Sequence, residues 1–474
     1  MLTAKTQRSP DYPLLALVGA LTVFGLVMVY SASFVIAVDE GHGQLYYLIR
    51  QSIWAVLGTI FLLVGMRIDY RFWRKVTLPI MGVTLALLVM VILLPESMTK
   101  RGGAERWITF GPVGIQPTEI AKFSLVIYLA SWLCLRGHKM RSMTISLIPF
   151  TTIMGIILAL VMLQPNLSTA IILGVIGVAV YFAAGANLVH IGAGLVLGSS
   201  LGWVLMQTAA YRLERFLVYK NPWAYARDGG FQPIHAMYAL ASGGWIGRGL
   251  GQSRQKFNWL PSAHADAIFS VIGEELGLLG TLTVLCAFLL FTYRGLRIAT
   301  RSTDPFAALV AVGITSWLTF QAFVNMAVVA QVIPFTGVTL PFVSYGGSSL
   351  AMCLFATGVL LNISKHVDDQ PPEPVPVAAP RPQAHRQRQI AAFPGLAALM
   401  RRGNRGPRVS RPGRGFSFSR RALRVTADKQ SGWRRLTTAT PRKGGGRTSR
   451  SSGRAASTRR ADTASGGAWR RRSS

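Results

Sequence analysis

Hydropathy divides the chain into apolar runs of about 20 residues, the length that carries an α-helix across a bilayer core. Ten such runs lie near residues 13–36, 46–66, 76–95, 118–135, 143–163, 169–186, 188–208, 266–293, 305–330 and 346–364. The sixth and seventh are parted only by a short stretch around Asn187. The pattern predicts an all-α polytopic membrane protein of about ten transmembrane helices, with a large extracytoplasmic loop, 209–265, between helices 7 and 8. The first run, from about Pro13 to Val38, is too long for a signal-peptide core and lacks an A-x-A cleavage site. It reads as a retained span.

Composition agrees and refines the division. The 474 residues are 51% hydrophobic and only 14% charged, which excludes an ordinary soluble enzyme. The net charge of +32 is unevenly spread. From Pro371 onward there are 25 Lys and Arg against 3 acids, whereas the preceding 370 residues carry 25 against 15. That tail opens PPEPVPVAAPRP, an extended spacer, and continues Arg/Gly/Ser-rich. It has too little apolar surface to fold alone and is expected to be disordered and to attract anionic membrane lipids. No folded recognition module accompanies its charge, so a nucleic-acid partner is not expected. The organisation expected is a cytoplasmic N-terminus at 1–12, a membrane domain at 13–365 and a cytoplasmic tail at 366–474.

Orientation follows from the basic loops RIDYRFWRK, RGHKMR and RGLRIATRSTD, which fall on one side of a ten-span chain together with both termini. That side is the cytoplasm. The opposite loops nevertheless contain Arg106, Arg212, Arg215 and Lys256. Either they meet an anionic ligand or they belong to loops that translocate regardless of charge. The stretch ASGGWIGRGLGQS in the large loop has the glycines to bring backbone close to a ligand. It lacks the trailing Lys-Ser/Thr of a nucleotide-binding loop. Cys134, Cys286 and Cys353 lie in apolar runs with no disulfide or metal-ligand spacing.

Ionisable groups in or beside the spans carry the chemical interest, because a carboxylate at a helix centre costs about 2.5–3.5 kcal/mol on insertion scales. Glu119 and Lys122 stand three apart as the fourth run begins, on one helical face where they can pair. In VMLQPNLSTA, Pro165 breaks one helix and Asn166 can cap the next. Asp266, Glu274 and Glu275 lie in LPSAHADAIFSVIGEELG. At about 100° per residue they cannot form one cluster. Asp266 is placed at the outer mouth of the eighth run, after His264, and the glutamates are expected to find structural partners. Asp266 itself reads equally as a helix-terminal carboxylate or as a functional one. NMAVVAQVIPFTGVTLPFVSYGGSSLA, with Ser344 and Ser348, is an interrupted helix of the kind tolerated at membrane depth only inside protein or along a cavity.

Together RWITFGPVGIQPTEIAK, QPNLSTA, RLERFLVYKNPW, SGGWIGRGLGQSRQKFNWLPSAHADAIFSVIGEELG and IPFTGVTLPFVSYGGSSL resemble, in order, the SEDS family (shape, elongation, division and sporulation). The resemblance covers about residues 13–365, and GLGQSRQKFNWLP is more similar to the division branch than to the elongation branch. It implies a ten-span glycosyltransferase that polymerises lipid II at the outer face of the cytoplasmic membrane, with a class B penicillin-binding protein and other division proteins as partners. By motif, Asp266 matches the family's essential carboxylate, and Glu119 and Lys122 match the polar pair thought to line the same cavity. The implied general base is Asp266. Arg106, Arg212, Arg215, Lys256, His264, Ser344 and Ser348 are the expected substrate contacts, with a divalent cation (Mg or Mn) as a candidate helper at the pyrophosphate.

The chain departs from the family pattern at Asn166 and Ser168, which replace an acid and a glycine, and at Ser262, Ala265 and Ala267 around the His-Asp pair. His235-Ala236 replaces a Gln-Ser, and Ala327 and Gln331 replace glycines. Two other functions share this organisation: a flippase for lipid II, which needs polar groups open to both faces, and a non-catalytic division scaffold.

Overall fold

The computed structural model describes residues 9–101, 104–110, 113–136, 147–207 and 210–367. The described helices are α1 (Tyr12–Asp39), α2 (Tyr46–Arg67), α3 (Tyr70–Lys75), α4 (Thr77–Leu93), α5 (Glu96–Thr99), α6 (Pro117–Leu133) and α7 (Ile148–Leu163). They continue with α8 (Leu167–Ala183), α9 (Leu188–Gln207), α10 (Ala210–Lys220), α11 (Phe231–Ser242), α12 (Ile268–Arg301), α13 (Pro305–Val329) and α14 (Gly347–Ser364). Each of the ten apolar runs contains one of the longer helices. Five of these, α1, α2, α12, α13 and α14, are long and apolar enough to cross a membrane by length and composition. Of the expected tail, 366–474, all but His366 and Val367 lies outside the described residues. Departing from an all-α chain, two short antiparallel hairpins pair Lys100–Arg101 with Ala104–Glu105 and Ile108–Phe110 with Val113–Ile115.

Local chemistry sets the helix starts. Asp11 and Asp304 each stand one residue before the first helical position, with Pro13 or Pro305 in the first turn. Their carboxylates accept the Leu14 and Phe306 amides at 3.0 Å. Asn166 caps α8 as its place in the sequence predicts, accepting the Thr169 amide at 3.3 Å. The eighth apolar run becomes α12, which begins at Ile268 and runs to Arg301, so Asp266 belongs to the turn before the helix.

The segment 209–265 is built rather than open. After α10 comes a 3-10 turn, Pro222–Tyr225, then α11, then irregular chain that closes on α12. There α12 is broken at Gly277, whose φ of 65° and ψ of −161° are non-helical. A break at membrane depth orphans backbone groups that hydrocarbon cannot satisfy. The glycine-rich stretch satisfies them. Arg248 and Gly249 amides donate to the Glu274 and Glu275 carbonyls at 3.0 and 2.9 Å, and Leu278 and Leu279 donate to the Gly244 and Trp245 carbonyls at 2.9 and 3.1 Å. This requires bare backbone: a Cβ on Gly243 would lie 1.9 Å from the Gly273 carbonyl oxygen, and one on Gly247 2.2 Å from that of Glu275. The glycines expected to approach a ligand approach α12 instead.

The core centres on α13 and α14. Trp317, Leu318 and Ala322 of α13 and Cys353, Leu360 and Leu361 of α14 have no solvent exposure. α14 lies against α2 so closely that a Cβ on Gly358 would meet the Leu62 carbonyl oxygen at 2.2 Å, the small-residue contact by which membrane helices pack.

Candidate active site

One polar seam crosses the otherwise apolar core, and α13 organises it. Gln321 and Asn325 stand four residues apart on one face, each 1% exposed. Asn325 Nδ2 donates to the Val338 carbonyl at 2.7 Å and to the Asp266 carbonyl at 2.8 Å. Gln321 Nε2 donates to the next carbonyl, that of Thr339, at 3.1 Å. The two amides thus hold the segment after α13 across the bundle and fasten it to the turn before α12. Gln321 Oε1 accepts from Lys122 Nζ at 2.8 Å and from Trp317 Nε1 at 2.9 Å. Lys122 also contacts the Glu119 carboxylate at 2.8 Å and stands 5.0 Å from the centre of the Trp317 ring. Apart from Trp317 at the middle of α13, the groups come from the start of α6, the turn before α12, the C-terminal part of α13 and the chain leading into α14.

Asp266 is the carboxylate left for chemistry. Its Oδ1 lies 3.5 Å from the Gln232 amide of α11, and its Oδ2 faces Gly337, where a Cβ would be 3.4 Å away. Gln232 is itself held by donating to the Pro261 carbonyl at 3.1 Å. Burial raises the Asp266 pKa from 3.8 to about 6, against the opposing pull of the Asp266 and Ala267 amides and the Arg215 charge. Buried polar atoms without a protein partner among the described residues include Asn325 Oδ1 and Thr336 Oγ1, on residues beside its neighbours, and Thr118 Oγ1 and Ser348 Oγ at the starts of α6 and α14. Orphaned polar atoms at membrane depth are expensive unless something polar enters.

An apolar cavity of about 720 Å³ opens between α11, α12 and α13, lined by Leu240, Trp245, Phe269, Leu282, Phe323 and Ala327. Phe269 follows Asp266 by three residues.

The remaining expected contacts divide. Arg215 is exposed on α10 and acts on Asp266 through its charge. Arg106 donates to the Pro165 carbonyl, beside the α7–α8 turn. Arg212 is on α10, and its side chain lies outside the described residues. His264 packs tilted against Tyr47 and edge-on against Tyr345, at 4.6 and 5.2 Å between ring centres, and its carbonyl accepts the Tyr345 amide at 2.9 Å. Burial lowers its pKa to about 4, so it is neutral at physiological pH and no cation for a pyrophosphate. Ser344 Oγ accepts the Leu340 amide at 2.8 Å and closes a turn.

Lys256 is a correction. It has no exposure, and its ammonium group is consumed inside the protein by Glu275 at 2.9 Å, the Gly251 carbonyl at 2.7 Å and Ser31 Oγ at 3.4 Å. A cation closed in this way cannot meet a substrate. Glu274 is anchored as firmly, accepting from Ser253 Oγ at 2.6 Å and from the Arg254 amide at 2.9 Å. Sequence reasoning missed Gln321, Trp317, Thr339 and Gln232. Gln321 and Asn325 had a readable signal: two amides four apart in an apolar run.

Among the described residues no three His, Cys, Asp or Glu side chains are grouped to hold a metal. Glu119 is committed to Lys122, so Asp266 is a single carboxylate and does not make a divalent-cation site.

Fold and site together define a multi-pass helical membrane protein with a half-buried carboxylate and a buried Lys-Glu pair. The family model described as "Cell cycle protein", of the FtsW, RodA and SpoVE type, matches residues 12–369, and the chain belongs to that family. It is 42% identical over 361 residues to a Geobacter metallireducens protein named "Probable peptidoglycan glycosyltransferase FtsW", covering 76% of this chain and 96% of that one. It is 39% identical over 368 residues to the Bacillus subtilis stage V sporulation protein E, covering 77% and 99%. Among solved structures, it resembles a chain of a peptidoglycan synthase complex that coordinates polymerization and crosslinking, with a TM-score of 0.63, 28% identity and coverage of 75% and 98%. It also resembles Thermus thermophilus RodA, with a TM-score of 0.55, 26% identity and coverage of 76% and 98%.

Proposed function

We propose that this peptidoglycan glycosyltransferase polymerises lipid II into glycan strands at the outer face of the cytoplasmic membrane during septal wall synthesis, with Asp266 as general base. Its acceptor sugar hydroxyl attacks the anomeric carbon of the growing chain. Asp266 takes the hydroxyl proton, the bond to the lipid pyrophosphate breaks, and undecaprenyl pyrophosphate leaves. The observation that carries this reading is a half-buried carboxylate with no ion-pair partner among the described residues, whose backbone is held by Asn325 at the mouth of α12. A pKa near 6 makes Asp266 a stronger base than an ordinary carboxylate while leaving it mostly ionised at pH 7.

Lys122, fixed by Glu119 and Gln321, supplies positive charge beside the seam, and Arg215 supplies it from α10. The apolar cavity beside α12 suits an isoprenoid chain. A class B penicillin-binding protein would crosslink the product, other division proteins would recruit the enzyme, and both termini would face the cytoplasm. A flippase would need polar groups along the whole crossing, whereas these are gathered at one end.

The test is lipid II polymerisation by the purified protein with its cognate penicillin-binding partner. Asp266→Asn is expected to lose about 10²–10⁴-fold in rate with the fold intact. Wild-type activity should fall about tenfold per pH unit below about 6, because the base must be deprotonated. Equal rates for wild type and Asp266→Asn would remove Asp266 from the reaction.

A further inference from the structure

The buried stripe of α2 consists of Gln51, Ala55, Gly58, Leu62 and Gly65, at alternating spacings of four and three that keep one face turned inward. All but the first are small or apolar. Gln51 is only 1% exposed in an otherwise apolar helix, and an amide buried there is costly unless its groups are bonded. It stands at the N-terminal end of the stripe. Leu62, further along, packs against α14 at Gly358, whereas Gln51 meets the chain that leads into α14.

Both ends of the Gln51 amide hold that chain. Nε2 donates to the Ser344 carbonyl at 3.1 Å, and Oε1 accepts the Gly346 amide at 3.2 Å. Turning the amide over would set N–H against N–H and carbonyl against carbonyl, so its orientation is fixed. The loop is pressed onto α2, where a Cβ on Gly347 would clash with the Trp54 ring. Between the two gripped residues, Tyr345 donates its own amide to the His264 carbonyl at 2.9 Å. The Tyr345 ring meets His264 edge-on, and Tyr47, one turn before Gln51 on α2, packs against both rings. The turn that carries Asp266 is therefore held at two points. Asn325 of α13 holds the Asp266 carbonyl at 2.8 Å, and α2 holds the His264 carbonyl through Tyr345.

We propose that Gln51 is a positioning residue of the reaction: through the 344–346 loop it sets where the Asp266 turn sits, and so where the carboxylate meets the acceptor hydroxyl. It acts through the loop rather than on the reacting atoms. Its effect on rate rests on Asp266 being the general base, whereas its hold on the turn rests on geometry alone.

Lipid II polymerisation and hydrogen–deuterium exchange, both on the full-length protein with its penicillin-binding partner, test it. Gln51→Met keeps the length of the side chain and removes both bonds. It is expected to lower kcat about ten- to a hundred-fold with KM within about twofold of wild type, because a misplaced base costs rate rather than binding. Amides in 262–268 should exchange faster than in wild type. Leu62→Ala, on the same stripe but against α14, controls for stability. It should lower the melting temperature and leave kcat and exchange at 262–268 at wild-type values. Unchanged exchange at 262–268 in Gln51→Met would overturn the proposal, as would unchanged kcat alongside an inactive Asp266→Asn. An equal loss of kcat in Leu62→Ala would overturn it too, since general loosening would then explain the rate. If Asp266→Asn polymerised like wild type, the base reading would fall, and exchange at 262–268 in Gln51→Met would still decide whether Gln51 holds the turn.

Discussion

The molecule contains two buried lysine–glutamate pairs, and they do different work. Lys256 and Glu275 are both 0% exposed, and the ammonium group spends itself on Glu275, Ser31 and a backbone carbonyl. The pair joins α1, the loop and α12 beside the helix break and faces nothing else. Lys122 and Glu119 are also buried, yet their network runs through Gln321 into the segment that faces Asp266. Burial alone therefore does not mark a site. What marks it is whether the network ends in satisfied backbone or in polar atoms still lacking partners.

Removing one charge from the closed pair should have the largest effect on stability. Lys256→Met strands Glu275 in the core and is expected to destabilise the protein by about 3–5 kcal/mol, read as a lost or much lowered thermal transition in detergent. Lys256→Met/Glu275→Gln should recover most of that stability and keep polymerisation near wild type. The matching double variant, Lys122→Met/Glu119→Gln, should also be folded but polymerise at least tenfold more slowly. Equal activity in the two doubles would erase the distinction between the pairs.

A smaller effect separates Asp266 from both. Its folded pKa is raised, so the ionised form is a burden on the folded state at neutral pH, and the folded protein takes up a proton as pH falls through about 6. Asp266→Asn should raise the melting temperature by a few degrees at pH 7–8, and the gain should shrink as pH falls below about 6. A lower melting temperature for Asp266→Asn at pH 8 would contradict the burial argument. Least in size is Gln331, which holds a φ of 57°, in the left-handed region that favours glycine. Gln331→Gly should stabilise by about 1 kcal/mol in thermal denaturation, with activity unchanged.

Glu119 and Lys122 were legible because their partnership is local: a spacing of three on a helix is enough to join them. Lys256 was misread as a ligand contact because its partner is nineteen residues away on another element, and no periodicity reports such a pairing. The glycine-rich stretch misled for a related reason. Glycine announces that backbone must come close to something, and only the fold revealed that the something is the broken turn of α12. Gln232 carried no pattern at all, since its position relative to Asp266 depends on how α11 docks.

From the chain itself came the long apolar helices, the Asn166 cap of α8 and the Glu119–Lys122 pair. Hydrophobic length and near-neighbour spacing are properties of the chain before it folds. Tertiary structure alone decided that Asp266 precedes its helix, that Gln321 and Asn325 fasten the segment after α13 against it, and that Lys256 is closed off while Lys122 is not. Those outcomes depend on contacts between residues tens to hundreds of positions apart, brought together only when the helices pack.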